Sequence, residues 1–88
     1  MEYRNKPGRI YVQGEDGTVL AEVTFPPEDG VADINHTFVD ESLRGQGIAG
    51  ELVRRAAEQI LKDGNRIKAT CPYAVKWLER HPEYISDH

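Results

Sequence analysis

Residues 40–50 read Asp40-Glu41-Ser42-Leu43-Arg44-Gly45-Gln46-Gly47-Ile48-Ala49-Gly50, and the hydrophobic period of the chain changes across them. Upstream, apolar residues alternate every second position; downstream they recur in adjacent pairs four residues apart. The first spacing is that of a strand and the second that of a helix. The stretch is therefore a strand-to-helix turn. Its glycines let successive backbone N–H groups converge on one point with no Cβ in the way. The helix beyond them adds unpaired N–H donors and the positive end of its dipole. Together these make an anion site suited to phosphate, with the Arg44 cation at its mouth.

Toward the N-terminus, Val31 to Val39 reads as one strand, with Ala32, Ile34, His36 and Phe38 on a shared face. Pro26-Pro27-Glu28-Asp29-Gly30 before it reads as a loop, because proline cannot continue a hydrogen-bonded ladder. Thr18 to Phe25 alternates well, with Val19, Ala21, Val23 and Phe25 forming an apolar face. Arg9 to Gln13 is a further short strand, followed by the turn Gly14-Glu15-Asp16-Gly17. Three strands on short links predict an antiparallel meander.

Toward the C-terminus, Ile48, Ala49, Leu52, Val53, Ala56, Ala57, Ile60 and Leu61 lay an apolar stripe along a helix that Gly64-Asn65 ends. Glu51–Arg55 and Glu58–Lys62 are favourably ordered i,i+4 pairs on its other side, each contributing about 0.3–0.5 kcal/mol. Ile67 to Cys71 is a fourth strand, and Pro72 suits the first position of a second helix. Ala74, Val75, Trp77 and Leu78 give that helix its apolar face, and Pro82 ends it. The predicted order is β-β-β-α-β-α, an α+β (or α/β) fold with two helices packed on a mostly antiparallel sheet.

The chain of 88 residues is expected to form a single domain, 1–88, with a compact core. Hydrophobic residues make up 39% and charged residues 30%, the mix of an ordinary globular protein. A net charge of −4 argues against nucleic acid as a partner, which normally needs a basic face. No segment is apolar enough to span a membrane, and Met1-Glu2-Tyr3-Arg4-Asn5-Lys6 lacks a signal-peptide core, so a cytoplasmic location is expected. Cys71 is the one cysteine; it can form no internal disulfide, and with no His/Cys cluster no metal site is expected.

A tight turn alone would account for a pair of glycines. The loop is no Walker motif, since no Gly-Lys-Ser/Thr follows, and no Rossmann fingerprint, since it follows a meander. Arg44-Gly45-Gln46-Gly47-Ile48-Ala49 instead resembles the signature of GNAT-type acyl-CoA N-acetyltransferases, Arg/Gln-x-x-Gly-x-Gly/Ala. The order strand, loop, striped helix, strand, helix matches that family as well. From His36 through Cys71-Pro72-Tyr73 to His81-Pro82-Glu83-Tyr84 the chain resembles a subfamily of minimal, YjdJ-like acetyltransferase domains. The resemblance covers roughly residues 9–84.

It implies a minimal GNAT-like fold and acetyl-CoA as cosubstrate. The pyrophosphate would lie on the amides of Arg44, Gly45, Gln46, Gly47, Ile48 and Ala49, and the pantetheine arm along the backbone of Phe38 and Val39. Tyr73 would pack on that arm or fill the core edge. Cys71, beside a helix start that favours the thiolate, is either the nucleophile that the resemblance suggests or a small buried hydrophobe. His36 is either a general base, imidazole being suited to proton transfer around neutrality, or a structural histidine. A Cys71–His36 pair would activate both. His81-Pro82-Glu83-Tyr84 is expected to end the helix and pin the tail. Larger members carry two further helices and more strands that shape the acceptor site, so the resemblance reaches the cofactor half alone. The expected partners are acetyl-CoA and an amine of unspecified kind, with the chain a monomer or weak homodimer. The alternative is a module that binds acyl-CoA, or a partner protein, without transfer; a third reading puts a different phosphate ligand in the loop.

Overall fold

A computed structural model describes residues 1–85. The β-hairpins and the striped helix form where the periods place them, but the strands divide between two sheets. β1 (Arg4–Lys6), β2 (Arg9–Gln13), β3 (Val19–Thr24) and β6 (His36–Val39) form an antiparallel sheet in the order β1-β2-β3-β6. β4 (Pro27–Glu28), β5 (Val31–Ile34) and β7 (Arg66–Ala69) form the second, with β5 and β7 parallel. The helices are α1 (Ile48–Lys62) and α2 (Pro72–Arg80).

Two strands carry no periodic signal. β1 is polar and exposed, and forms because the Pro7-Gly8 turn folds it onto β2 at the sheet edge. β4 lies inside the expected loop; an edge strand tolerates Pro27 because the missing N–H takes no ladder bond. Asp29 (φ 55°) and Gly30 (φ 82°) join it to β5 as a two-residue hairpin with both central residues left-handed.

The expected continuous strand Val31–Val39 is the main correction. It breaks at Asn35, whose N–H bonds to the Thr24 carbonyl (3.1 Å) while His36 also pairs with Thr24. Two residues opposite one is a β-bulge, and it reverses the alternation. Ala32 and Ile34 point into the core, but beyond the bulge the inward residues are Thr37 and Val39, opposite buried Val23 and Ala21. His36 and Phe38 turn to the outer face. The same bulge hands the chain from one sheet to the other.

Ile48, Leu52, Val53, Ala56 and Ile60 of α1 share one buried core with Ile10, Val23, Phe25 and Ile34 among others, and Ala57 is buried too. Leu61, expected in the stripe, is 46% exposed at its margin. Arg55 pairs with Glu51 as expected (2.7 Å), but Glu58 takes Arg54 (2.9 Å) and the Tyr84 hydroxyl (3.0 Å) rather than Lys62. Ala74 and Leu78 carry α2 into the core; Val75 stays exposed. Among the described residues, no helix is long and apolar enough to cross a membrane.

Candidate functional site

Between β6 and α1 the chain makes a 3-10 turn, Glu41–Leu43. Asp40 caps it, accepting from the Ser42 amide (3.0 Å) and hydroxyl (2.6 Å), and those bonds hold its carboxyl below the usual range. Gly45 (φ 83°) and Gly47 (φ 73°) then take left-handed conformations. A Cβ on either would meet open space, so the backbone, not crowding, requires glycine there. Gly47 is the N-cap of α1 and has no side chain to cap it. The first amides of the helix therefore lack a side-chain acceptor and face an open pocket.

That pocket holds about 300 Å³ and spans three parts of the fold. Leu43, Arg44, Gly45 and Gly47 line it from the loop, Ile48, Ala49 and Gly50 from α1. Thr37 and Val39 of β6 and Tyr73 of α2 complete the wall. Arg44 makes no ion pair among the described residues. Gln46, Phe38, His36 and Cys71 stay outside the wall.

β6 is the edge of its sheet. Asp40 donates its N–H to the Leu20 carbonyl (2.7 Å), which sets the phase of the β3–β6 ladder. Alternation then turns the main-chain groups of His36 and Phe38 toward β3 and those of Thr37 and Val39 toward the free edge. Of the expected backbone pair Phe38-Val39, Val39 therefore turns its main-chain groups to the free edge beside the pocket, as Thr37 does, and Phe38 turns them to β3.

Cys71 is the N-cap of α2, held by its own N–H to the Ile34 carbonyl (3.1 Å). Its thiol donates to Thr37 Oγ1 (3.4 Å), and the residue is 8% exposed. Burial alone would push the thiol up. The Thr37 hydroxyl and the Ala74 and Tyr73 amides outweigh it and hold the thiol below its ordinary value. His36 lies on the other side of the sheet, with Nε2 3.7 Å from Glu22 Oε1, beside the Arg9–Glu22 ion pair. The structure brings Cys71 to Thr37 and not to His36, because the bulge at Asn35 exchanged their faces. His81 stacks on Trp77 (3.8 Å between centroids), and Tyr84 ties the turn after α2 to α1.

Thr37 and Gly50 carry no site signal in the sequence. The first becomes inward only through the bulge; the second follows the hexapeptide by one residue. Among the described residues no three His, Cys, Asp or Glu side chains gather as a metal site would require.

Residues 9–88 match the family model of the GCN5-related N-acetyl-transferase. Protein NATD1 of Bos taurus is 33% identical over 52 residues, 59% of this chain and 46% of that protein. The chain thus spans about half the length of the curated relatives it matches. Among solved structures, the NMR solution structure of a GCN5-like candidate N-acetyltransferase from Staphylococcus aureus superposes with a TM-score of 0.75 at 27% identity, over 94% of this chain and 82% of that one. YhbS from Escherichia coli, a GNAT family N-acetyltransferase in complex with CoA, gives a TM-score of 0.61 at 24% identity, over 69% and 38% of the two chains. At that identity the likeness to YhbS is one of fold.

Proposed function

The chain belongs to the GCN5-related N-acetyltransferases, and from that premise we propose that it binds acetyl-CoA and transfers the acetyl group to an amine. The observation that carries the reading is the uncapped start of α1 opening into the same pocket as the free edge of β6. An uncapped helix start suits the pyrophosphate, and a free strand edge suits the amides of a pantetheine arm. In this reading Arg44 and the amides of Gly45, Gly47, Ile48 and Ala49 hold the phosphates. The main chain of Thr37 and Val39 holds the arm, and Tyr73 flanks it. That YhbS is a CoA complex on the same fold favours this ligand over other phosphates.

Cys71 is the proposed nucleophile. Its sulfur attacks the acetyl carbonyl carbon, the bond from that carbon to the CoA sulfur breaks, and the CoA thiolate leaves to be protonated by solvent. An unprotonated amine then attacks the Cys71 thioester, loses a proton and releases the Cys71 thiolate. The depressed thiol supports this route, as does its contact with Thr37, which lines the pocket. Mixing with acetyl-CoA is expected to leave one acetyl group on the intact protein and none on Cys71→Ala; an unmodified wild type rejects the covalent route.

The alkylation rate gives a further prediction. A depressed pKa populates the reactive thiolate at lower pH, so the iodoacetamide rate should reach half its plateau below the midpoint of a free cysteine. Thr37→Val removes the hydroxyl that favours the thiolate and should move the midpoint up; Thr37→Ser should keep it near wild type. A midpoint unmoved in Thr37→Val would remove Thr37 from the site.

The near-complete burial of Cys71 favours a second reading, a module that holds acyl-CoA without transfer. Tight CoA binding with no thiol release across a panel of amines would decide for it.

A further inference from the structure

Gly50 lies inside the first turn of α1, where glycine is a poorer helix former than alanine and its φ is not left-handed. A glycine in such a place usually answers to a close approach. Here a Cβ would meet Tyr73 Oη at 3.3 Å and Trp77 Nε1 at 3.5 Å, both from α2. The first contact is tight and the second ordinary. Tyr73 is, among the described residues, the one member of α2 in the pocket wall, and Gly50 is the last member of α1 in it. The two helices therefore close the pocket where Gly50 receives the tyrosine hydroxyl.

We propose that Gly50 is a positioning residue: its bare backbone seats the Tyr73 hydroxyl against α1, and that seat fixes the wall along which an acyl-CoA thioester lies. Cys71 caps the same helix two residues before Tyr73, so the seat also bears on where α2 holds the thiol relative to the α1 amides. The inference rests on the acyl-CoA reading for its ligand, but the seat itself is a contact between α1 and α2.

A methyl at position 50 keeps every backbone N–H donor, and removing the Tyr73 oxygen tells a loss that comes through the tyrosine from one caused by the methyl's own place in the wall. Calorimetric titration with CoA is expected to show Gly50→Ala weakened about tenfold. Gly50→Ala/Tyr73→Phe, which lacks the oxygen that the methyl meets, should return to within about threefold of wild type. The melting temperature of Gly50→Ala should stay at or above wild type, because alanine favours the helix. Unchanged affinity in the single variant, or no recovery in the double, overturns the proposal.

Trp77 supplies a readout without ligand. It is the chain's single tryptophan, and its indole N–H resonance should shift in Gly50→Ala. If the wild type binds no CoA, the acetyl-CoA reading falls, and the seat is then decided by that resonance: a shift upholds it and an unmoved signal overturns it.

Discussion

Gly47→Glu is expected to lose CoA binding by at least about a hundredfold, a change of roughly 2.8 kcal/mol at 1.4 kcal/mol per tenfold. Two effects act together. Gly47 sits at φ 73°, ψ 17°, where an L-residue costs about 1–2 kcal/mol. Its Cβ would enter open space, so the carboxylate is free to fold over the first amides of α1 and occupy the anion site itself. A carboxylate about 4 Å from a phosphate charge near a protein surface opposes it by about 4 kcal/mol. Gly47→Ala separates the two effects, since it keeps the strain and adds no charge; it should bind no more than about tenfold weaker than wild type. Calorimetric titration at fixed ionic strength measures both. A Gly47→Glu protein that binds within threefold of wild type would place the phosphate elsewhere.

The loop was legible in the sequence because its requirement is local. Left-handed glycines, a following helix and an arginine can all be read from neighbours in the chain. The same holds for α1, whose stripe predicts Ile48, Leu52, Val53, Ala56 and Ile60 as buried, and for the Ala21, Val23 and Phe25 face of β3. The rest of the site depends on pairing between distant segments. Asn35-His36-Thr37-Phe38-Val39 alternates equally well in either phase, and hydrophobicity alone favours Phe38 over Thr37 as the inward residue. Thr24 decides otherwise by pairing with both Asn35 and His36, and a shift of one residue exchanges the faces. From that follow the outward turn of His36 and the 40% exposure of Phe38. The Cys71–Thr37 contact, and the loss of a Cys71–His36 pair, follow from it too. β1 and β4 were hidden for a related reason: they are short, polar or proline-bearing edges that exist through their partners.

Ile34→Ala is the substitution expected to damage the protein most. Ile34 is fully buried and ends β5 next to the bulge, paired in parallel register with Ala69 of β7. Truncating a buried isoleucine costs about 2–5 kcal/mol through lost burial and the cavity left behind. In a domain this small each kcal/mol lowers the melting temperature by about 4–8 °C, so a fall on the order of 10–40 °C is expected. The backbone makes the loss functional as well. The Ile34 carbonyl accepts from both the Thr70 and Cys71 amides, so the residue that anchors the second sheet also seats the thiol. Loosening it should raise the alkylation rate of Cys71 at temperatures where the protein is still folded, because local opening exposes the sulfur before global unfolding does. Leu61→Ala is the control. That side chain is nearly half exposed, and its loss should stay within about 1 kcal/mol and leave the thiol as protected as in wild type. Equal melting temperatures for the two variants would mean that β5 does not bear on the core. An Ile34→Ala protein that melts early with Cys71 still protected would mean that the thiol is held from the α2 side and not by the strand.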